Sequence, residues 1–184
     1  MADVTLTYKG QNILELSASG SKTIQTKEKY CEDNITLIYS LPDEILYNPS
    51  FNINTTGLVS WDASHSGTGI SQGVKAIDGW YIMNSTAAQY ASGLSVTPKQ
   101  STAFLLQEIN SYFVRKTLTL SVTVDNTEYH LTDVINGTSS MGIETPWGDI
   151  YVYSYGAQQF FITIHFQDQV DVSHIVNNVS LKVA

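Results

Sequence analysis

The segment "KTLTLSVTVDN" constrains this chain most. Leu118, Leu120, Val122 and Val124 recur at every second position, with Thr and Ser between them. That period gathers the apolar side chains on one face of an extended strand, whereas a helix would scatter them. The residues "DNT" then make a turn and "TEYHLTDVI" returns. The same rhythm runs through the chain. "VTLTY" alternates with Val4, Leu6 and Tyr8 on one face, and "ILEL", "KTIQT" and "ITLIY" follow at short spacing. "GDIYVYSYG" and "QQFFITIHF" read as a hairpin around Gly156 and Ala157, and "NNVSLKVA" closes the chain with Val179, Leu181 and Val183 alternating. "STAFLLQEINSYF" has helix-like apolar spacing but is short and flanked by Ser and Thr, so it reads as strand then turn; "TAAQYASGLSVTP" is ambiguous. The expected fold class is all-β, a small N-terminal β unit followed by an antiparallel β-sandwich of jelly-roll type.

Residues 1–42 read as four short strands. So small a unit buries little core and is expected to gain stability by docking or oligomerising. "SLPDEIL" breaks the pattern, because Pro42 cannot donate a ladder hydrogen bond. Residues 43–46 are therefore read as a linker and 47–184 as the second domain. "YNPSFNINTTG" is expected to open that domain as an extended run, with Phe51 and Ile53 pointing one way and Gly57 ending it.

Composition excludes several classes. Charged residues are 14% of the chain, against roughly 25% in an average soluble domain. The net charge is −8 and the nine Lys and Arg residues are scattered, so no basic patch is present to neutralise a duplex backbone. The single cysteine, Cys31, cannot form an internal disulfide and reads as a small buried residue. His65, His130, His165 and His174 lack metal-ligand spacing; His130 and His165 are expected on solvent-side strand faces. The start "MADVTLTYKG" has no basic region followed by an apolar run, and no apolar run reaches the roughly 18 residues that span a bilayer. The chain is expected to be made in the cytoplasm without membrane insertion.

Catalytic patterns are sparse. "SWDASHSG" brings Ser60, Asp62 and His65 within six positions, but triads are assembled in space from separate elements. The carboxylates Asp62, Asp78, Glu108, Asp125, Glu128, Asp133, Glu144 and Asp149 mostly flank turns, and none pairs off as acid and base. A Gly-rich phosphate loop and a His-Glu-x-x-His run are both missing from the sequence. The expectation is a non-enzyme.

Aromatic residues carry the stronger signal. In "WGDIYVYSYG", Tyr151, Tyr153 and Tyr155 fall at period two, with Ile150 and Val152 on the opposite, core face and Trp147 just before. A row of tyrosines can stack on the C–H faces of sugars while its hydroxyls bond sugar hydroxyls. It can equally pack under a neighbouring strand or against another subunit. Trp61, beside the Gly-rich "SHSGTGISQG", is a second candidate platform, whereas Trp80 between Ile77 and Ile82 reads as core.

Two stretches resemble known proteins. "NPSFNINTTG", then "AIDGW", "KTLTLSVTV" and "VNNVSLKV", resemble in order and spacing the jelly-roll module of phage tail-fibre and appendage proteins, which is similar to carbohydrate-binding modules. The closing strand departs from that pattern by ending at "VSLKVA". "SGSKTIQTKEKYCEDNITLIY" resembles a short N-terminal repeat of virion-associated proteins from phages and prophages of gut Firmicutes. The resemblance implies a virion structural protein of the tail-fibre or head-fibre and capsid-decoration type, made in a bacterial host and located on the virion surface. It implies anchoring to other virion proteins through residues 1–42 and a homo-oligomer, with a trimer favoured. Host-surface or mucus glycans would be the ligands, and capsid cementing without sugar binding the alternative. No cofactor is implied beyond a structural calcium at a turn, whose ligands the sequence does not single out.

Overall fold

Alternation of apolar and hydroxyl side chains dictates strands almost everywhere, and strands are what the computed structural model contains. It describes the backbone of residues 4–8, 11–16, 20–25 and 34–39, and the chain from 44 onward except 68–71, 110–115, 135–140, 156–158 and 168; side chains are described from 44 onward, apart from 154 and 155. Cys31 lies outside the described residues. Contacts divide the chain into two units, Met1–Asp43 and Glu44–Ala184.

In the first unit β1 (Val4–Tyr8) pairs with β2 (Gln11–Leu16), and β3 (Gly20–Gln25) with β4 (Asn34–Tyr39), each pair antiparallel.

The second unit holds β5 (Ser60–Asp62), β6 (Val74–Lys75), β7 (Tyr81–Met83), β8 (Ser85–Tyr90), β9 (Gly93–Pro98) and β10 (Thr102–Ile109). It continues with β11 (Thr117–Val124), β12 (Thr127–Val134), β13 (Met141–Thr145), β14 (Gly148–Tyr155), β15 (Gln159–Gln167) and β16 (His174–Val183). They form two six-stranded sheets, in the orders β13-β14-β15-β10-β7-β6 and β12-β11-β16-β9-β8-β5. Every named pairing in both is antiparallel. One hydrophobic cluster takes Ile82, Leu105, Ile150 and Ile162 from the first sheet and Leu94, Leu118, Val122 and Leu181 from the second. The arrangement is β-sandwich-like: each sheet turns one alternating face into a shared core. All four apolar residues of β11 are fully buried, each contributing about 1.5–3 kcal/mol of transfer free energy. "STAFLLQEI" is strand β10, and "TAAQYASGLSVTP" forms the β8–β9 hairpin.

The β11–β12 turn is two residues long, with Asp125 at φ 51 and Asn126 at φ 64. Positive φ at both centres matches the right-handed twist of the strands they join.

The opening stretch of this unit departs from the expected strand. Residues 47–57 form a looped segment, and Asn48 and Phe51 both have φ of 55. Phe51 is 1% exposed and packs on Trp80 at 5.1 Å, whereas Ile53 is 38% exposed. The two side chains therefore do not share a face. The Asn48 amide closes the loop on itself, donating to the carbonyls of Ile53 (2.8 Å) and Asp78 (3.0 Å) and accepting from the Ile53 N–H (2.9 Å). Within residues 43–46, read from the sequence as a linker, Glu44 and Ile45 are pinned to the last strand. The Glu44 backbone forms an isolated antiparallel β-bridge with that of Lys182, and the Glu44 carboxylate accepts from the Leu181 N–H (2.9 Å) and the Ser180 hydroxyl (2.6 Å).

Candidate functional site

Strand β14 positions the site. Ile150 and Val152 are fully buried in the core, so the period of two turns Asp149, Tyr151 and Tyr153 to the outer face of the sheet. Registry extends this face into rows. Gly142, Tyr151, Thr163, Leu106 and Tyr81 lie side by side across five strands. Glu144, Asp149, His165, Phe104 and Met83 make the next row. Tyr153 and Phe161 begin a third.

The outer face is unusually apolar for a surface that the core does not claim. Met83, Leu106 and Phe161 are buried there as a satellite cluster, with Phe104 and Tyr153 packed against them. Over the cluster lies a groove of about 550 Å³ lined by Tyr151, Tyr153, Thr163, Glu144 and Asp149, with Met83 of β7 and Phe104 and Leu106 of β10. Gly142 has no side chain to fill it; a Cβ there would lie 3.2 Å from the Tyr151 Cβ. The Tyr151 and Tyr153 rings are 5.3 Å apart and inclined by 59°, and Tyr153 meets Phe161 at 5.9 Å. His165 stacks on Phe104 at 4.5 Å.

Polar groups also line the groove. Burial, then the neighbouring Tyr153 and Asp149, push the Tyr151 phenol up to about 12. It is a neutral hydrogen-bond donor over the whole physiological range. Thr163 is 2% exposed and its hydroxyl has no partner among the described residues. Glu144 and Asp149 face each other across the β13–β14 pair.

The other aromatic candidates lie elsewhere. Trp61 is 7% exposed and belongs to the core cluster, because the β5 pattern turns Ser60 and Asp62 outward and the indole inward. Trp147 is 8% exposed and stacks on Phe166 at 5.4 Å, with Tyr129 and His174 against it. Neither is a platform on the groove. Trp80 is fully buried and donates its indole N–H to the Asn48 carbonyl at 3.0 Å. The backbone of Tyr155 continues β14 opposite Gln159; its side chain lies outside the described residues.

Ser60, Asp62 and His65 do not assemble. The Asp62 carboxylate accepts from the Ser64 N–H at 2.9 Å, and bonds from Ser64 hold it below the usual carboxylate range. His65 contacts the hydroxyl of Ser64, its chain neighbour, rather than that of Ser60. Among the described residues, no three His, Cys, Asp or Glu side chains converge on a point that could hold a metal ion. No helix among them is long and apolar enough to cross a membrane. His130 is exposed; His165 is on the outer face as expected, but its side chain is only 17% exposed.

Sequence reasoning found the tyrosines and counted Glu144 and Asp149 only as turn-flanking carboxylates. It passed over Gly142, Phe104, Leu106 and Thr163. Their signal was present: β10 and β15 are apolar at both parities, as in "TAFLLQEI" and "QFFITIHFQ", which a strand with one wet face does not require.

No family model, curated protein or solved structure matches the chain.

Proposed function

We propose that residues 47–184 are a jelly-roll glycan-binding module displayed on the surface of a phage particle, and that residues 1–42 anchor it there and promote its self-association. The observation that carries the binding reading is the groove beside Tyr151 and Tyr153, lined by aromatic rings and by the carboxylates of Glu144 and Asp149. That combination suits a sugar, which offers a C–H face to a ring and hydroxyls to acceptors. The virion setting rests on the sequence resemblance. Single-site binding is weak in this reading, and many copies per particle raise avidity by about 10²–10⁴. The mechanism is adhesion, not turnover.

A second reading, a capsid decoration protein without sugar binding, draws support from Leu58 and Val59. These adjacent apolar residues are 56% and 68% exposed, as a protein contact would use them. A glycan array probed with the full chain and with Tyr151→Ala separates the two. Binding that the substitution abolishes supports the module. A silent array together with a stable oligomer in sedimentation favours decoration.

A further inference from the structure

The groove carries charge of one sign. Glu144 and Asp149 are direct cross-strand partners, and the Asp149 side chain is 41% exposed. Like charges directly opposite weaken a strand pair. The nearby cationic group is His165, whose Nδ1 is 3.8 Å from Asp149 Oδ2 and which is charged only when protonated. Among the described residues, no Lys or Arg lines the groove.

Two further features stand beside the carboxylates. The Thr163 hydroxyl, in one row with Tyr151, is buried and has no partner among the described residues, although Thr163 lines the same groove. The Tyr151 and Tyr153 rings present π faces, which attract cations as well as C–H groups. A hydroxyl donor and acceptor, two carboxylates with no Lys or Arg beside them among the described residues, and two rings are jointly answered by one kind of ligand, a pyranose that bears an ammonium group.

We infer that the groove between β13, β14 and β15 binds glycans built from sugars with a free amino group, seating the ammonium between Glu144 and Asp149 and the ring on Tyr151. This rests on the glycan reading above and names its ligand class. Sulfated, phosphorylated or carboxylated sugars are rejected, because they would bring a third negative charge to a groove with no Lys or Arg among its described lining residues.

The test is calorimetric titration of the full chain with a glucosamine trisaccharide and with its fully N-acetylated counterpart, at neutral pH and low salt. The free amine is expected to bind at least about ten-fold tighter. That advantage should vanish in the double variant Glu144→Gln, Asp149→Asn, whose melting temperature should be unchanged or raised. Trilysine serves as a control for simple attraction to an acidic chain. Equal binding of the two trisaccharides, an advantage that survives the double variant, or trilysine binding as tightly as the amino sugar would each overturn the inference while leaving a glycan module standing. Binding of neither trisaccharide, together with a silent glycan array, would remove the glycan reading itself.

Discussion

Asn48 holds a backbone conformation that few side chains adopt, and its amide rewards the chain for doing so. The αL conformation at φ 55 turns residues 47–57 back on themselves, and three side-chain bonds to Ile53 and Asp78 fix the turn. Asn48→Ala removes all three and strains the backbone, so unfolding free energy should fall by about 2–4 kcal/mol in denaturant titration. Gly148 is constrained more tightly still. At φ +148 an added Cβ would lie 2.0 Å from the His165 carbonyl oxygen, which is backbone and cannot swing away. Gly148→Ala should cost about 3 kcal/mol or more and disturb the register that presents Asp149 and Tyr151. Tyr151 leaves a signature in alkali. Its phenol ionises near 10 when unfolded and at about 12 when folded. Between those values the unfolded chain has lost a proton that the folded one keeps, so stability falls as pH rises through that window and is unaffected below it. Tyr151→Phe should flatten this part of the slope when unfolding is compared at about pH 9 and about pH 11.

At the scale of elements, β14 and β15 decide what the outer face can do. Alternation made the tyrosine row legible, because Ile150 and Val152 could only be core and their neighbours had to point the other way. Strand β11 and its Asp-Asn turn were legible for the same reason. The looped entry at 47–57 was not, because Phe51 and Ile53 at strand spacing imitate an alternating strand. What overrides the pattern is the Asn48 side chain, which bonds Ile53 within the loop and Asp78 thirty residues on, a partner set by tertiary contact. The tryptophans misled differently. Type alone cannot tell a platform from a core ring, and Trp61 and Trp147 sit at inward positions whose neighbours only the sheet order defines. With all three tryptophans buried, groove binding should leave tryptophan fluorescence nearly unchanged. Thr163→Val tests the face without touching its rings. The methyl replaces an unpartnered hydroxyl of the same shape, so stability should hold or rise by about 1 kcal/mol while glycan affinity drops several-fold.

At the scale of the molecule, the chain comprises two units of unequal size. Glu44 and Ile45 belong with the larger, tied to β16 through the Leu181 N–H and carbonyl. A chain beginning at residue 44 should therefore unfold in one cooperative transition. Residues 1–45 alone should not form a folded monomer in light scattering, because about forty residues bury too little surface to stand alone. The central claim is that the tyrosine groove is where ligand binds, and 3-fluorotyrosine labelling with 19F NMR tests it most directly. The eleven tyrosines would be assigned by Tyr→Phe substitution and titrated with a glycan that the array identifies. Shifts confined to Tyr151 and Tyr153, with Tyr47 and Tyr90 still, are the predicted result. Shifts at Tyr90 or Tyr47 with a silent Tyr151 would contradict it.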